Sequence, residues 1–232
     1  MMTFQGPSSE YYLPKGADAL QLVFSLPQIN NALESLEFTI YTPREGKEER
    51  TKKDQGKDGP QHHSIDNRIE TILVSDLPKR LEQIIRSLPD DRALGVNSRC
   101  ILTNGSVRHI PMIDFNLSPS CDSLESIMHR DFREIGQNLK DIGLENIGQR
   151  GLILESGASY HFYGFDLLEE EHWIKFMGSC LLSLSPDHRW IGHCLLLGTN
   201  VLRISGSTLK PMVPSYRRSC CETHDDMCGT RT

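Results

Sequence analysis

The sequence predicts an α+β fold, with a small N-terminal α/β unit followed by a larger unit in which helices back one sheet. Three observations carry this. Apolar and polar residues alternate at 36–41, 106–116 and 159–165, the period of a strand with one face buried. Two stripes at helical spacing lie between or after such runs: Leu124, Met128, Phe132, Ile135, Leu139 and Ile142, then Trp173, Phe176, Met177, Cys180 and Leu181. Finally, the tract 44–64 mixes charges of both signs without one core-forming residue, and separates an early patterned block from the rest.

Residues 1–16, with Gly6, Pro7, Pro14 and Gly16, read as a loose leader. The run Ala19–Leu26 reads as a buried strand. Pro27 then opens a short helix with Ile29, Ala32, Leu33 and Leu36 on one stripe. Leu36, Phe38 and Ile40 alternate with Glu37, Thr39 and Tyr41 in a second strand. The tract 44–64 cannot offset the entropy of ordering its backbone and is expected to be a mobile surface loop, with a functional lid as the rival reading. Ile69–Val74 is a strand, and a helix begun by Ser75 or Asp76 buries Leu77, Leu81, Ile84, Ile85 and Leu88. This first unit, 1–97, shows no chemistry.

The second unit spans 98–218. Asn104-Gly105 between the strand-like runs 98–103 and 106–116 is a strong hairpin signal, and Pro111 predicts an interruption or an edge in the second run. A long helix from about Asp122 ends at Gly143. A hairpin over 150–165 turns through 156–159, and Glu169–Glu171 load the first turn of a further helix over 169–182 with charge that suits its positive end. Residues 186–197 add a short helix, 201–205 a last strand, and 219–232 a flexible tail.

Composition narrows the class. A net charge of −6 argues against coating nucleic acid by bulk charge, and no apolar run is long enough to span a bilayer, so a soluble cytoplasmic protein is expected. Cys100, Cys121, Cys180 and Cys194 fall singly in patterned segments, as reduced core cysteines do. Cys220, Cys221, His224 and Cys228 are a weak zinc set, since two are adjacent and the tail is polar.

The order strand 106–116, helix 122–142, strands 151–155 and 159–165, helix 169–182, strand 201–205 is βαββαβ, the ferredoxin-like or RNA-recognition-motif order. Strand parity would then place Ile113, Phe115, Leu152, Leu154, Tyr160, Phe162, Leu202 and Ile204 under the helices. The open face would collect Asp114, Asn116, Glu155, His161, Tyr163, Arg203 and Ser205, with Met112 and Ile153 among them.

Three segments on these strands, Ile-Pro-Met-Ile-Asp-Phe-Asn at 110–116, Ser-Gly-Ala-Ser-Tyr-His-Phe-Tyr at 156–163 and Val-Leu-Arg-Ile-Ser-Gly-Ser-Thr-Leu-Lys at 201–210, resemble the ordered motifs of archaeo-eukaryotic primases and primase-polymerases. The pattern is most similar to a branch with a single aspartate in the first motif. The resemblance implies a metal-holding Asp114, a phosphate-contacting His161, and nucleotidyl transfer in DNA replication or repair. The second metal position is Asn116, and no clear third carboxylate is present; Asp187 is the nearest candidate, with Glu155 behind it.

Two-metal phosphoryl transfer needs several hard oxygen ligands. Asp114, Asn116 and Asp187 supply at most a single site for Mg²⁺ or Mn²⁺, and a weak or inactive transferase is expected. His161, Arg203 and Lys210 would meet the nucleotide phosphates, with Glu155, Ser159 and Tyr163 as further candidates on the open face. The expected partners are a nucleoside triphosphate and single-stranded nucleic acid, without a membrane. From Val201 to Arg218 there are four basic and no acidic residues, either a local positive strip or a solvated edge. The alternative is an RNA-recognition-motif module that stacks bases on its sheet and binds neither nucleotide nor metal. Asp114 and Asn116 stand where its first-strand aromatic should be. Gly157-Ala158-Ser159 lacks the second glycine of a nucleophile elbow, and no phosphate-binding Gly-x-x-x-x-Gly-Lys loop occurs.

Overall fold

The structure, a computed structural model, describes residues 17–43, 68–117, 124–145, 150–157 and 159–219. The expected leader, the tract 44–64, Cys121 and the Cys/His tail lie outside the described residues.

The chain enters through helix α1, Ala19–Ile29, where the sequence pattern predicts a strand and then a helix from Pro27. The reason is a reciprocal N-terminal cap. Asp18 Oδ1 accepts from Gln21 N at 3.0 Å, and Gln21 Oε1 accepts from Asp18 N at 3.0 Å. Ala19, Leu22, Val23 and Leu26 then fall on one buried stripe. A short apolar run fits helix and strand alike, and here the cap decides. Pro27 lies in the last turn of α1, and β1 already begins at Leu33.

The first sheet runs β2 (Arg68–Leu73), β1 (Leu33–Tyr41), β3 (Ala93–Leu102), β4 (Val107–His109), all antiparallel. Helix α2, Leu77–Ser87, links β2 to β3 and buries Leu77, Leu81 and Ile84. The turn between β3 and β4 has Gly105 at φ +78 and Asn104 Oδ1 accepting from Ser106 N at 2.9 Å. Strand β8, Val201–Arg203, pairs with β3 at Gly95–Asn97, on the edge that β4 uses further along. The position 97/98, expected to separate two units, therefore falls within β3, which joins early and late parts of the chain.

At Ile110-Pro111 the chain leaves the first sheet and enters the second, so the interruption at Pro111 is a crossing between sheets. The second sheet has the order β5 (Met112–Asp114), β7 (Tyr160–Gly164), β6 (Gly151–Glu155), β9 (Ser215–Ser219). Helix α3, Leu124–Asp141, backs it: Phe132 meets Phe115 at 5.8 Å and Phe162 at 4.9 Å, both edge-on. Helices α4 (Glu170–Leu181) and α5 (His188–Leu197) complete the layer. Ser179 Oγ donates to Ile135 O at 3.0 Å, and buried Asp131 accepts from Ser185 N at 3.1 Å.

Two expectations about this sheet change. The strand at 201–205 does not flank 106–116; β8 belongs to the first sheet. The flank of β5 is taken by 185–187, with Asn116 N donating to Ser185 O at 2.7 Å and Asp187 N to Asp114 O at 2.8 Å. In β6 the parity is inverted. The turn 156–159 holds an even number of residues, so Leu154 pairs with His161 and Glu155 with Tyr160. Leu152 and Leu154 therefore share the face of His161, whereas Ile153 and Glu155 share that of Phe162 and Tyr160. Among the described residues no helix is long and apolar enough to cross a membrane, and Cys100, Cys180 and Cys194 are free and buried.

Candidate functional site

The cross-strand pair Asp114–His161 is the centre of the candidate site. Both residues come from short neighbouring strands, β5 at the end of the sheet and β7 inside it, whose alternate residues Ile113 and Phe162 are anchored in the core. His161 Nε2 lies 3.8 Å from Asp114 Oδ1; the histidine is 6% exposed, while the aspartate side chain keeps 30% exposure. Burial, reinforced by the charge of Arg203, pushes the imidazole down to about 3, so it is neutral at physiological pH. Its Nδ1 is buried and has no hydrogen-bond partner among the described residues.

Tyr163 is fully buried two residues on, with its ring edge-on to His161 at 6.3 Å and its hydroxyl donating to Arg203 O at 3.4 Å. This contact ties β7 to β8, so the face expected to be open is largely closed by the first sheet. Burial holds the Tyr163 phenol well above its ordinary range.

Tyr41, not foreseen as a site residue, reaches the same cluster from β1. Burial raises its phenol to about 12, with Arg203 and Asp114 acting on it in opposite directions. Its ring lies over Gly95: a Cβ there would stand 3.1 Å from Tyr41 Cε1 and 2.4 Å from Val201 Cγ1. Tyr41 does occupy the polar parity of its strand, but no pattern in the sequence says which sheet that parity faces. Buried Cys194 is also close enough to Asp114 for the carboxylate to help raise its thiol.

The remaining candidates divide. Arg203 is 6% exposed, and its guanidinium donates to main-chain carbonyls: Ser205 O at 2.7 Å, Ser156 O at 2.9 Å, Lys210 O at 3.4 Å and Met212 O. Lys210 is half-buried in the loop so held. Ser159 Oγ donates to Phe115 O and accepts from Leu117 N at 3.0 Å, fastening the end of β5 to β7. Ser205 Oγ accepts from Leu94 N at 2.9 Å. Asn116 is exposed beyond Asp114. Asp187 caps α5, its Oδ1 accepting from Arg189 N and Trp190 N, each at 3.0 Å. Glu155 stands on the opposite face, 3.8 Å from Arg217 Nη1, for the register reason given above.

Among the described residues no group of three or more His, Cys, Asp or Glu gathers as a metal site. Asp187 spends an oxygen on a helix end and Glu155 faces away, so this donor set does not fit a two-metal centre.

An α+β core of two antiparallel sheets is the class of fold in which a primase core is built. The family model for AEP-like proteins, archaeo-eukaryotic primase 1D-like, matches residues 74–213, more than half of the sequence, and the chain belongs to that family. Neither a curated protein nor a solved structure matches the chain significantly. The match takes in β3 to β8 but not β1, so Tyr41 lies outside it. Enzymes of the family usually use divalent metals, which sharpens the contrast with the donor set found here.

Proposed function

We propose that this protein binds a nucleoside triphosphate, together with single-stranded nucleic acid, at a primase-like site whose nucleotidyl-transfer capacity is reduced to a weak or absent level. The observation that carries the reading is the pairing of Asp114 with a neutral, incompletely hydrogen-bonded His161, next to Asn116 where a second carboxylate would serve a metal. A neutral imidazole has one N–H to offer a phosphate oxygen, and Lys210, at the end of the third motif segment, would add a cation. Asp114 would be the one anionic protein ligand for a single Mg²⁺ or Mn²⁺, with the Asn116 carbonyl as a neutral second; the phosphates would have to supply the rest.

Titration calorimetry with ATP and Mn²⁺ tests this. Wild type should bind, and Asp114→Ala should lose at least tenfold of the Mn²⁺-dependent affinity. Binding of single-stranded RNA without any ATP affinity in either protein overturns the reading. A primer-synthesis assay should give little or no product, and robust synthesis abolished by Asp114→Ala would show that the site is not reduced. The rival RNA-recognition module needs an exposed aromatic on the central strands, and Tyr163 is fully buried.

A further inference from the structure

We propose that Arg203 is a positioning residue that clamps the loop 205–212, and Lys210 with it, to the turn between β6 and β7, and does not itself bind phosphate. The guanidinium is almost entirely buried, and four carbonyl oxygens from two distant segments converge on it: Ser205, Lys210 and Met212 from the loop, and Ser156 from the turn. Carbonyl dipoles satisfy a buried cation without a carboxylate. Nη1 shares its two N–H groups among the three loop carbonyls while Nη2 reaches Ser156 O, a two-armed grip that the single nitrogen of a lysine ammonium cannot make. The donors point at the protein's own backbone, so an incoming phosphate would have to displace bonds that hold the loop.

The two segments are built to be held. Within the loop, Ser207 N donates to Lys210 O at 3.0 Å and Lys210 N to Ser207 Oγ at 3.1 Å, closing a tight turn. Thr208 N donates to Asp90 O at 2.8 Å and fixes the far side. Gly206 permits the closure, since a Cβ there would stand 2.9 Å from Pro211 O. On the other segment, Gly157 takes φ +96 and lets the turn lie against Met212, whose Cβ is 3.5 Å from where a side chain at 157 would begin. The charge of Arg203 still reaches the site, because it lies beside His161, but it does so through space.

The clamp rests on the nucleotide reading only in naming Lys210 as the group delivered, and it is tested without nucleotide. Hydrogen–deuterium exchange on the full chain should show amides of 205–212 and 156–157 exchanging at least tenfold faster in Arg203→Ala and in Arg203→Lys than in wild type. Lys210→Ala should keep both segments protected while losing ATP affinity at least tenfold. Unchanged exchange at both segments in Arg203→Ala overturns the proposal. Should the Arg203 variants not fold, phenylglyoxal labelling of wild type decides. Arg203 should resist modification with and without ATP, and modification that ATP suppresses overturns the clamp. If neither wild type nor Lys210→Ala binds ATP while the exchange result stands, the clamp survives and the nucleotide reading fails.

Discussion

His109 on β4 and His161 on β7 are buried to nearly the same degree, 2% and 6% exposed, yet they are wired differently. His109 stacks on Trp173 with ring centres 4.6 Å apart, and its Nδ1 is 3.2 Å from Ser98 Oγ. The network closes around it: Trp173 Nε1 donates to Asn200 Oδ1 at 3.0 Å, Asn200 Nδ2 to Met112 O at 3.2 Å, and Asn200 N to Ser98 Oγ at 3.1 Å. His161 has a carboxylate at 3.8 Å, the charge of Arg203 acting on it and a ring nitrogen with no hydrogen-bond partner among the described residues. Depth of burial therefore does not separate a fully bonded histidine from one proposed to meet a phosphate. Whether its polar atoms are used within the protein does.

The largest expected effect is on stability at His109. His109→Ala should cost on the order of 3 kcal/mol, roughly 6–12 °C in Tm by calorimetry, because it opens a cavity against Trp173 and removes one of the partners of the buried Ser98 hydroxyl. His161→Asn should cost less than half as much in the same measurement and lose at least tenfold in ATP affinity. Equal losses of stability would erase the distinction.

Acid sharpens it next. Burial pushes His109 down to about 4 and His161 to about 3, from 6.5 in the unfolded chain. The unfolded state therefore gains protons that the folded state does not. Stability is fully present above about pH 6.5 and is lost as pH falls from there toward each folded value, by about 1–2 kcal/mol per histidine between pH 7 and pH 5. Urea midpoints should track this loss. His109→Gln and His161→Gln should each flatten the acid limb, and an unaltered limb in either variant counts against neutral burial of that ring.

A smaller effect separates capping from metal binding at Asp187. Asp187→Ala should destabilise by about 1 kcal/mol and Asp187→Asn by a few tenths, since asparagine also caps. Loss of Mn²⁺-dependent ATP binding in Asp187→Asn, with stability retained, would restore Asp187 to the metal site. Of similar size is Thr39→Val, which removes the buried bond from Thr39 Oγ1 to Asn97 Oδ1, 2.7 Å long, and should cost about 1 kcal/mol without changing ATP affinity.

Much of this was legible residue by residue. The stripe 124–142 gave α3, Asn104-Gly105 gave the hairpin, and Pro111 marked a break that proved to be the crossing between sheets. The pairing of Asp114 with His161 followed from period-two alternation. What escaped the pattern was non-local. The turn 156–159 sets the parity of β6 by its even length, and nothing in 201–205 says that this strand seeks β3 and not β5. The helix at 19–29 was legible in principle, since Asp18 and Gln21 form the spacing of a capping box, but an apolar run of eight hides its period. The deeper loss was Arg203. Sequence shows a cation in a basic strip, and only the fold shows that main-chain carbonyls already hold both ends of its guanidinium.

The pairing of β8 with β3 also bears on how the protein is made. Gly95 and Arg203, partners across that ladder, are more than a hundred residues apart in the chain, and β1 lies one strand further in. Contacts of such separation close late, after local helices and hairpins have formed. On the ribosome, Asp114 and His161 emerge well before the strand that covers them. The last event of folding would thus be the docking of β8, and a chain stopped short of Val201 would lack the bond from the Tyr163 hydroxyl to Arg203 O that ties the two sheets together there.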